Sequence, residues 1–426
     1  MMTERTFSAF RLNLEQQKNR AKDLLRAAKA GDASALSRLE AVRRNAPLRL
    51  ADAQLAIARE LRFGSWANLK SHVASMDSQR AAIDSRLPAL DREMKTLHLR
   101  CGSDIQRTLQ EAGFVGDFLE HGIPYCLGPV TRGPDRHELM ARFIVDTFPE
   151  VRGGLVYESE LEGLKRGEQL LNLSAEEYER VVLWMEHDSW DQLVLARLLA
   201  HYASSKRPRV LELIAISEFP GGERFRGLGQ LPPEALRSLW DTRRSVTPAQ
   251  LSLGSAVWDA VTCDDPRELA ALMRSGTPAL PIMAPALHRH LQELPSITNG
   301  LSLSEQLILQ ILSEGSFVQG KVLGMLIYVR EPLPWNTDLG VLHIIDDMLK
   351  AAEPVLVRSP VPPEPGKNQF NQRLTITDLG LAVLRGERDW HALMPPPRWV
   401  GGVLVQPNRP CWRWDETQRD VVLREP

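Results

Sequence analysis

Val181, Val182, Leu183, Trp184 and Met185 run directly into Glu186, His187 and Asp188. An extended segment with apolar side chains on both faces is stable only as a strand covered on both sides. Ser189 then reads as the cap of a helix carrying Leu193, Leu195, Leu198 and Leu199. Val210, Leu211, Leu213, Ile214 and Ile216 supply the next strand. That spacing predicts a parallel βαβ unit. The same order begins at Thr96, where Leu97, Leu99 and Cys101 alternate with His98 and Arg100 at the strand period. Gly102 and Ser103 turn the chain, a helix with Ile105 and Leu109 ends at Gly113, and a short strand lies around Phe118 and Leu119. Residues 96–216 are therefore expected to form an α/β Rossmann-like parallel layer, with Ser174 and Glu177 as a capping box for a short helix before the long apolar strand.

The flanks read differently. Residues 1–76 form a basic helical module of four short helices, with Gly31, Asp32, Gly64 and Ser65 as their stops and caps. None is long enough to stand alone, so they must pack together. Residues 77–95 look like a charged linker. After the α/β domain, 217–300 form a helical segment opened by a Gly- and Arg-rich loop, and Thr247-Pro248, Pro266 and Pro281 start helices there. Residues 301–390 contain a second capping box, Ser302 with Glu305, two further helices, and strands near 355 and 373. That is a mainly helical, winged-helix-like pattern. Residues 391–426 are a Trp-rich closing hairpin around Gly401-Gly402.

Charge divides along the same boundary. Residues 1–95 carry 18 Lys and Arg against 11 Asp and Glu, whereas the whole chain has 52 against 54. The front is basic and the rest acidic, so either the two parts attract each other or the front touches an acidic partner such as RNA, or another protein. DNA binding is disfavoured. The candidate recognition helix holds Asp338, Asp346 and Asp347 against Lys350, and the wing adds only Arg358, Lys367 and Arg373. No run of about 18 apolar residues occurs, so no membrane span is expected. The charged N-terminus is no secretory signal. Cys101, Cys126, Cys263 and Cys411 are too far apart for a zinc motif or a disulfide framework, and a cytoplasmic location is the simplest reading.

TLHLRCGSDIQRTLQEAG, LGPV and VVLWMEHDSWDQLVLARLL resemble the bacterial domain-of-unknown-function-1835 family. RFRGLGQL, LPIMAPALHRHLQELPSITNGLSLSEQLIL and WVGGVLV with WRWD resemble the C-terminal part of its longer members, so the likeness spans roughly 96–415. The front module (LLRAAKAGD, LADAQLAIARELRFGSWANLKSHV) resembles a helical module that precedes ankyrin repeats in bacterial proteins. The resemblance implies an α/β fold and a shared site, with no activity attached. Where members often carry an Asp before the Gly-Pro turn, this chain reads HGIPYCLGPV.

In open parallel sheets ligands bind beyond the carboxyl ends of the strands. One end offers Gly102, Ser103 and Asp104 at a helix start, where free amides favour an anion. The other offers Glu186, His187 and Asp188, with Asp191 one turn on. Three chemistries compete there. A phosphate on the Gly-Ser turn would leave His187, flanked by Glu186 and Asp188, as acid or base. Glu186, His187, Asp188 and Asp191 have ligand types for a divalent metal, in a spacing that matches no standard signature, and no metal is assigned. Ser103 as a nucleophile lacks a G-x-S-x-G elbow. Arg224 and Arg226 either clamp a carboxylate or phosphate or pair with acidic residues of the chain. The leading expectation is a small anionic, phosphate-bearing ligand at the strand ends. The alternative is an interaction or regulatory protein docking through its basic and winged-helix-like parts. The cofactor and any reaction stay open.

Overall fold

The computed structural model describes residues 9–42, 47–148, 156–359 and 372–425. Its first helices are α1 (Leu14–Lys29), α2 (Ala33–Glu40), α3 (Leu50–Glu60) and α4 (Trp66–Asp84). Asp32 and Ser65 accept hydrogen bonds from the amides of Ala35 and Asn68, as N-caps do. Ala21, Leu39, Ile57 and Leu69 form the common core of the module. The left-handed residue after α3 is Arg62 rather than Gly64.

The expected linker is largely structured. No Gly or Pro interrupts 66–84, so α4 continues to Asp84, and Met76 packs into the core of the next unit. Beyond it Asp91 is buried, accepting from the amides of Val115 and Gly116 and meeting His98 Nε2 at 3.0 Å.

The central layer comprises β1 (Thr96–Arg100), α5 (Gln106–Glu111), β2 (Asp117–Glu120), α6 (Arg136–Thr147), α7 (Tyr157–Glu177), β3 (Arg180–Met185), α8 (Ser189–Ser204), β4 (Val210–Ala215), α9 (Pro233–Leu239) and β5 (Arg244–Ser245). The strand order is β2-β1-β3-β4-β5. The first four strands are parallel, with Leu99 between Leu119 and Leu183 and Trp184 beside Ile214. β5 adds an antiparallel edge, so the sheet is mixed rather than wholly parallel. Leu97, Leu99, Val181 and Leu183 face a core shared with α8. Val182, Trp184 and Ile214 face the opposite one, shared with α5, α9, Phe10 and Met76. Both faces are covered, as the apolar run of β3 requires.

Two local expectations fail. Ser174 starts no helix: it lies near the end of the 21-residue α7, where its hydroxyl donates to the Leu171 carbonyl and meets Tyr202 Oη at 2.8 Å. Ser189 is not the cap of α8. Asp188 is, accepting from the Asp191 amide at 2.8 Å, and the Ser189 hydroxyl donates instead to the Ala286 carbonyl.

Three helices follow, α10 (Pro248–Val261), α11 (Arg267–Arg274) and α12 (Met283–Leu291). Next come α13 (Leu303–Ser313), β6 (Phe317–Val318), α14 (Gln319–Met325), α15 (Asp338–Lys350), β7 (Leu356–Ser359), β8 (Arg373–Ile376) and α16 (Asp378–Leu384). The three strands pair antiparallel in the order β6-β8-β7 around a separate core. Lys367 and most of the Pro-rich loop lie outside the described residues. The tail is two hairpins, not one: β9 (Arg398–Val400) with β10 (Val403–Val405), and β11 (Cys411–Asp415) with β12 (Asp420–Arg424). Trp414 and Val421 enter the core that contains Leu97, whereas Trp390 belongs to the α13–α15 core and donates to Glu305. Among the described residues, no helix is long and apolar enough to cross a membrane.

A buried carboxylate cluster at the sheet rim

β1 and β3 are neighbours, but the chain leaves them toward opposite edges, so their carboxyl ends meet at the switch point where crevices open. Arg100, the last residue of β1, is 2% exposed and lies at the centre of this rim. Its Nη1 reaches Asp191 Oδ1 at 2.7 Å, its Nε reaches Asp104 Oδ1 at 2.8 Å, and its Nη2 lies 3.1 Å from Glu186 Oε2. Nη1 also points at the Trp184 carbonyl. Burial alone would lower the Arg100 pKa, but the carboxylates, Asp191 foremost, hold it above its ordinary value.

The start of α8 is filled by the chain's own acids. Asp188 caps it, while Asp191 Oδ1 accepts from the Glu186 amide at 2.9 Å. Asp191 Oδ2 accepts the Cys101 thiol at 2.8 Å. Gln192 holds the Glu186 carbonyl. Glu186, Asp188 and Asp191 are all buried, and oxygens from the three lie within 4.8 Å of one another. Desolvation pushes Glu186 up to about 8 and raises Asp188, with neighbouring carboxylates adding to both.

A strap over residues 219–231 closes the rim from above. The Leu228 amide donates to Glu186 Oε2. A Cβ at Gly227 would lie 2.6 Å from Glu186 Oε1, and one at Gly229 would lie 2.6 Å from Asp104 Oδ2. Glycine at both positions is what lets the backbone approach the acids so closely. The strap is tied down at its other side. Arg224 donates to the carbonyls of Glu331 and Pro332, and Arg226 stacks on Tyr328 at 4.4 Å. These two arginines hold the strap to the segment after α14. Among the described residues, neither makes an ion pair with a carboxylate.

The remaining candidates divide. Gly102, Ser103 and Asp104 are on the rim, with Ser103 exposed. α5 begins only at Gln106, so the turn at 102–104 is not the helix's first turn. His187 turns from the cluster to stack on Phe225 at 5.7 Å, and its Nδ1 is buried without a partner. Burial and Arg224 lower its pKa, so it is neutral at pH 7. Arg100 was not among the residues singled out from sequence. One signal was available: several acids at two adjacent strand ends require a cation, and Arg100 is the cationic residue that ends β1.

In comparison with known proteins, no family model matches this sequence and no curated protein matches it.

Proposed function

We propose that this rim binds a divalent cation through Glu186, Asp188 and Asp191 and, through that cation, a small phosphate-bearing anion lying toward Gly102 and Ser103. The observation that carries the reading is the charge count: three buried carboxylates, Glu186, Asp188 and Asp191, lie together, and Arg100, which pairs with Glu186 and Asp191, is shared with the more exposed Asp104. A buried excess of negative charge must be met by protons or by a cation. Two oxygens that share a cation at about 2.4 Å are at most about 4.8 Å apart, and three carboxylates are a hard donor set suited to Mg²⁺, Mn²⁺ or Ca²⁺. An anion bound directly at the α8 start would compete with Asp188 and Asp191, so in this reading it needs the cation between.

The order β2-β1-β3-β4 supports a Rossmann-like layer. α13–α15 with β6–β8 support a winged helix used for packing, because Arg358 pairs with Asp346 at 2.5 Å and Arg373 with the Ser316 carbonyl, leaving those side chains engaged within the chain. The family resemblance and a cytoplasmic location, consistent with four free cysteines, stand as part of this reading. The basic module supports mutual attraction within the chain over RNA. Arg11 and Arg80 both bind the buried Glu234 at 2.8 Å.

The test is Mn²⁺ binding to the full chain by electron paramagnetic resonance and calorimetry. One ion per chain is expected, lost in Asp188→Asn and in Glu186→Gln with the far-UV dichroism unchanged. Pyrophosphate should then raise Tm only when Mn²⁺ is present. Absence of Mn²⁺ binding at millimolar concentration, or binding that both variants retain, refutes the reading.

A further inference from the structure

β12 leaves one edge of its backbone open. It bonds to β11, and among the described residues no strand lies along its other side. Which groups face that side follows from β11. The Trp414 amide donates to the Pro295 carbonyl, and the Trp414 carbonyl accepts from the Ile297 amide, so both turn away from β12. In an antiparallel pair, facing residues alternate between exchanging two hydrogen bonds and exchanging none. Trp414 faces Val421 and Trp412 faces Leu423, so these are the pairs that exchange none. The amides and carbonyls of Val421 and Leu423 therefore point outward. Arg274 sets where the open stretch begins, because its guanidinium takes the Arg419 carbonyl. The Val421 amide is met by the Asp420 carboxylate of its own strand.

Proteins protect an edge strand with lysine, proline, a bulge or a covering element. None of these occurs at 421–423, which reads Val-Val-Leu, and the ladder to β11 runs without a bulge. Val422 is 43% exposed and Leu423 is 48% exposed.

We infer that β12 pairs antiparallel with β12 of a second copy of this chain, about a two-fold axis at Val422. In this register Val421 faces Leu423 of the second copy and exchanges two main-chain hydrogen bonds with it, and the symmetry-related pair does the same. The two Val422 side chains meet at the axis. One step outward on each side, Asp420 faces Arg424 of the second copy. Arg424 is exposed and has no ion pair among the described residues, while Asp420 keeps Arg274 at 2.6 Å. Opposite charges at facing positions select this register over its slipped neighbours, and make the edge complementary to itself. So short a strand pair falls at the small end of specific interfaces, so the dissociation constant should be about 10–100 µM.

Sedimentation velocity of the full chain from about 1 to about 500 µM reads the association, and the parent should pass from monomer to dimer over that range. Leu423→Pro removes an outward amide and no bond to β11, so far-UV dichroism should be unchanged while the dimer weakens more than about tenfold. Asp420→Arg sets Arg against Arg across the axis, and Arg424→Asp sets Asp against Asp. Each alone should remain monomeric. Mixed in equal amounts, the two should pair, because each Arg then faces an Asp. A parent that stays monomeric throughout, a dimer that Leu423→Pro leaves intact, or charge variants that pair no better mixed than apart overturns the proposal.

Discussion

Arg100→Met tests the rim most directly. Methionine replaces the apolar stem and removes only the guanidinium. That group makes ion pairs at 2.7, 2.8 and 3.1 Å with Asp191, Asp104 and Glu186. Asp104 is 36% exposed and recovers its hydration, so its share is small. Asp191 cannot rehydrate without opening the strap, whereas Glu186, pushed up to about 8, holds its proton at pH 7 and leaves no stranded charge. Breaking a buried pair costs about 3–5 kcal/mol, because the partner charge is stranded. Asp191 retains the Glu186 amide and the Cys101 thiol, and Glu186 retains the Leu228 amide, which places the cost near about 3 kcal/mol. For a unit of this size that is a Tm lowered by roughly 6–12 °C. Circular dichroism melting at pH 7 in chelator reads it. Arg100→Lys, which keeps the charge but not the fork, should fall between. A Met variant within about 1 kcal/mol of the parent at pH 7 would refute the network as drawn.

Other outcomes follow from single groups. Glu186 has a folded pKa of about 8 against 4.5 unfolded, so as pH rises only the unfolded state loses its proton. In chelator, stability should therefore fall between those values and level off above them, and Glu186→Gln should flatten the curve in urea titrations. Asp91 behaves oppositely. Burial works to raise it, but hydrogen bonds from His98, Gly116 and Val115 hold it below its usual value, so its contribution is present at neutral pH and lost on acidification. Asp91→Ala should cost about 2–4 kcal/mol in denaturant unfolding, since two amides and an imidazole lose their acceptor. Arg224→Ala should speed amide exchange across 219–231 and shift global Tm by less than about 1 kcal/mol equivalent. With iodoacetamide on the native chain, Cys263 alone should react quickly by mass spectrometry, because it is exposed while Cys126 and Cys411 are buried and the Cys101 thiol is raised by burial.

The parts legible in the sequence are those set by neighbours a few residues apart. The apolar run at 181–185, the Asp32, Thr247 and Ser302 caps and the acids after β3 all depend on local periodicity or one turn of chain. What escaped depends on distant residues. Arg100 alternates with leucines and so reads as solvent-facing, yet its partner Asp191 lies ninety-one residues away. Arg224 and Arg226 read equally as an anion clamp or as partners of acidic residues, because nothing nearby reveals that carbonyls at 331 and 332 and the ring of Tyr328 receive them. Ser174 with Glu177 has the capping-box spacing, but α7 begins seventeen residues earlier and runs through it.

The pairing of Trp414 and Val421 with Leu97 in one apolar cluster bears on biosynthesis. The Trp414 amide donates to Pro295, and the Gly401 carbonyl accepts from Val130, so the closing hairpins are stitched to segments made long before them. A nascent chain emerging N-terminus first carries that cluster without its last members until translation nears residue 421. Chaperone demand during synthesis, and proteolysis of prematurely terminated chains, should both concentrate in that interval.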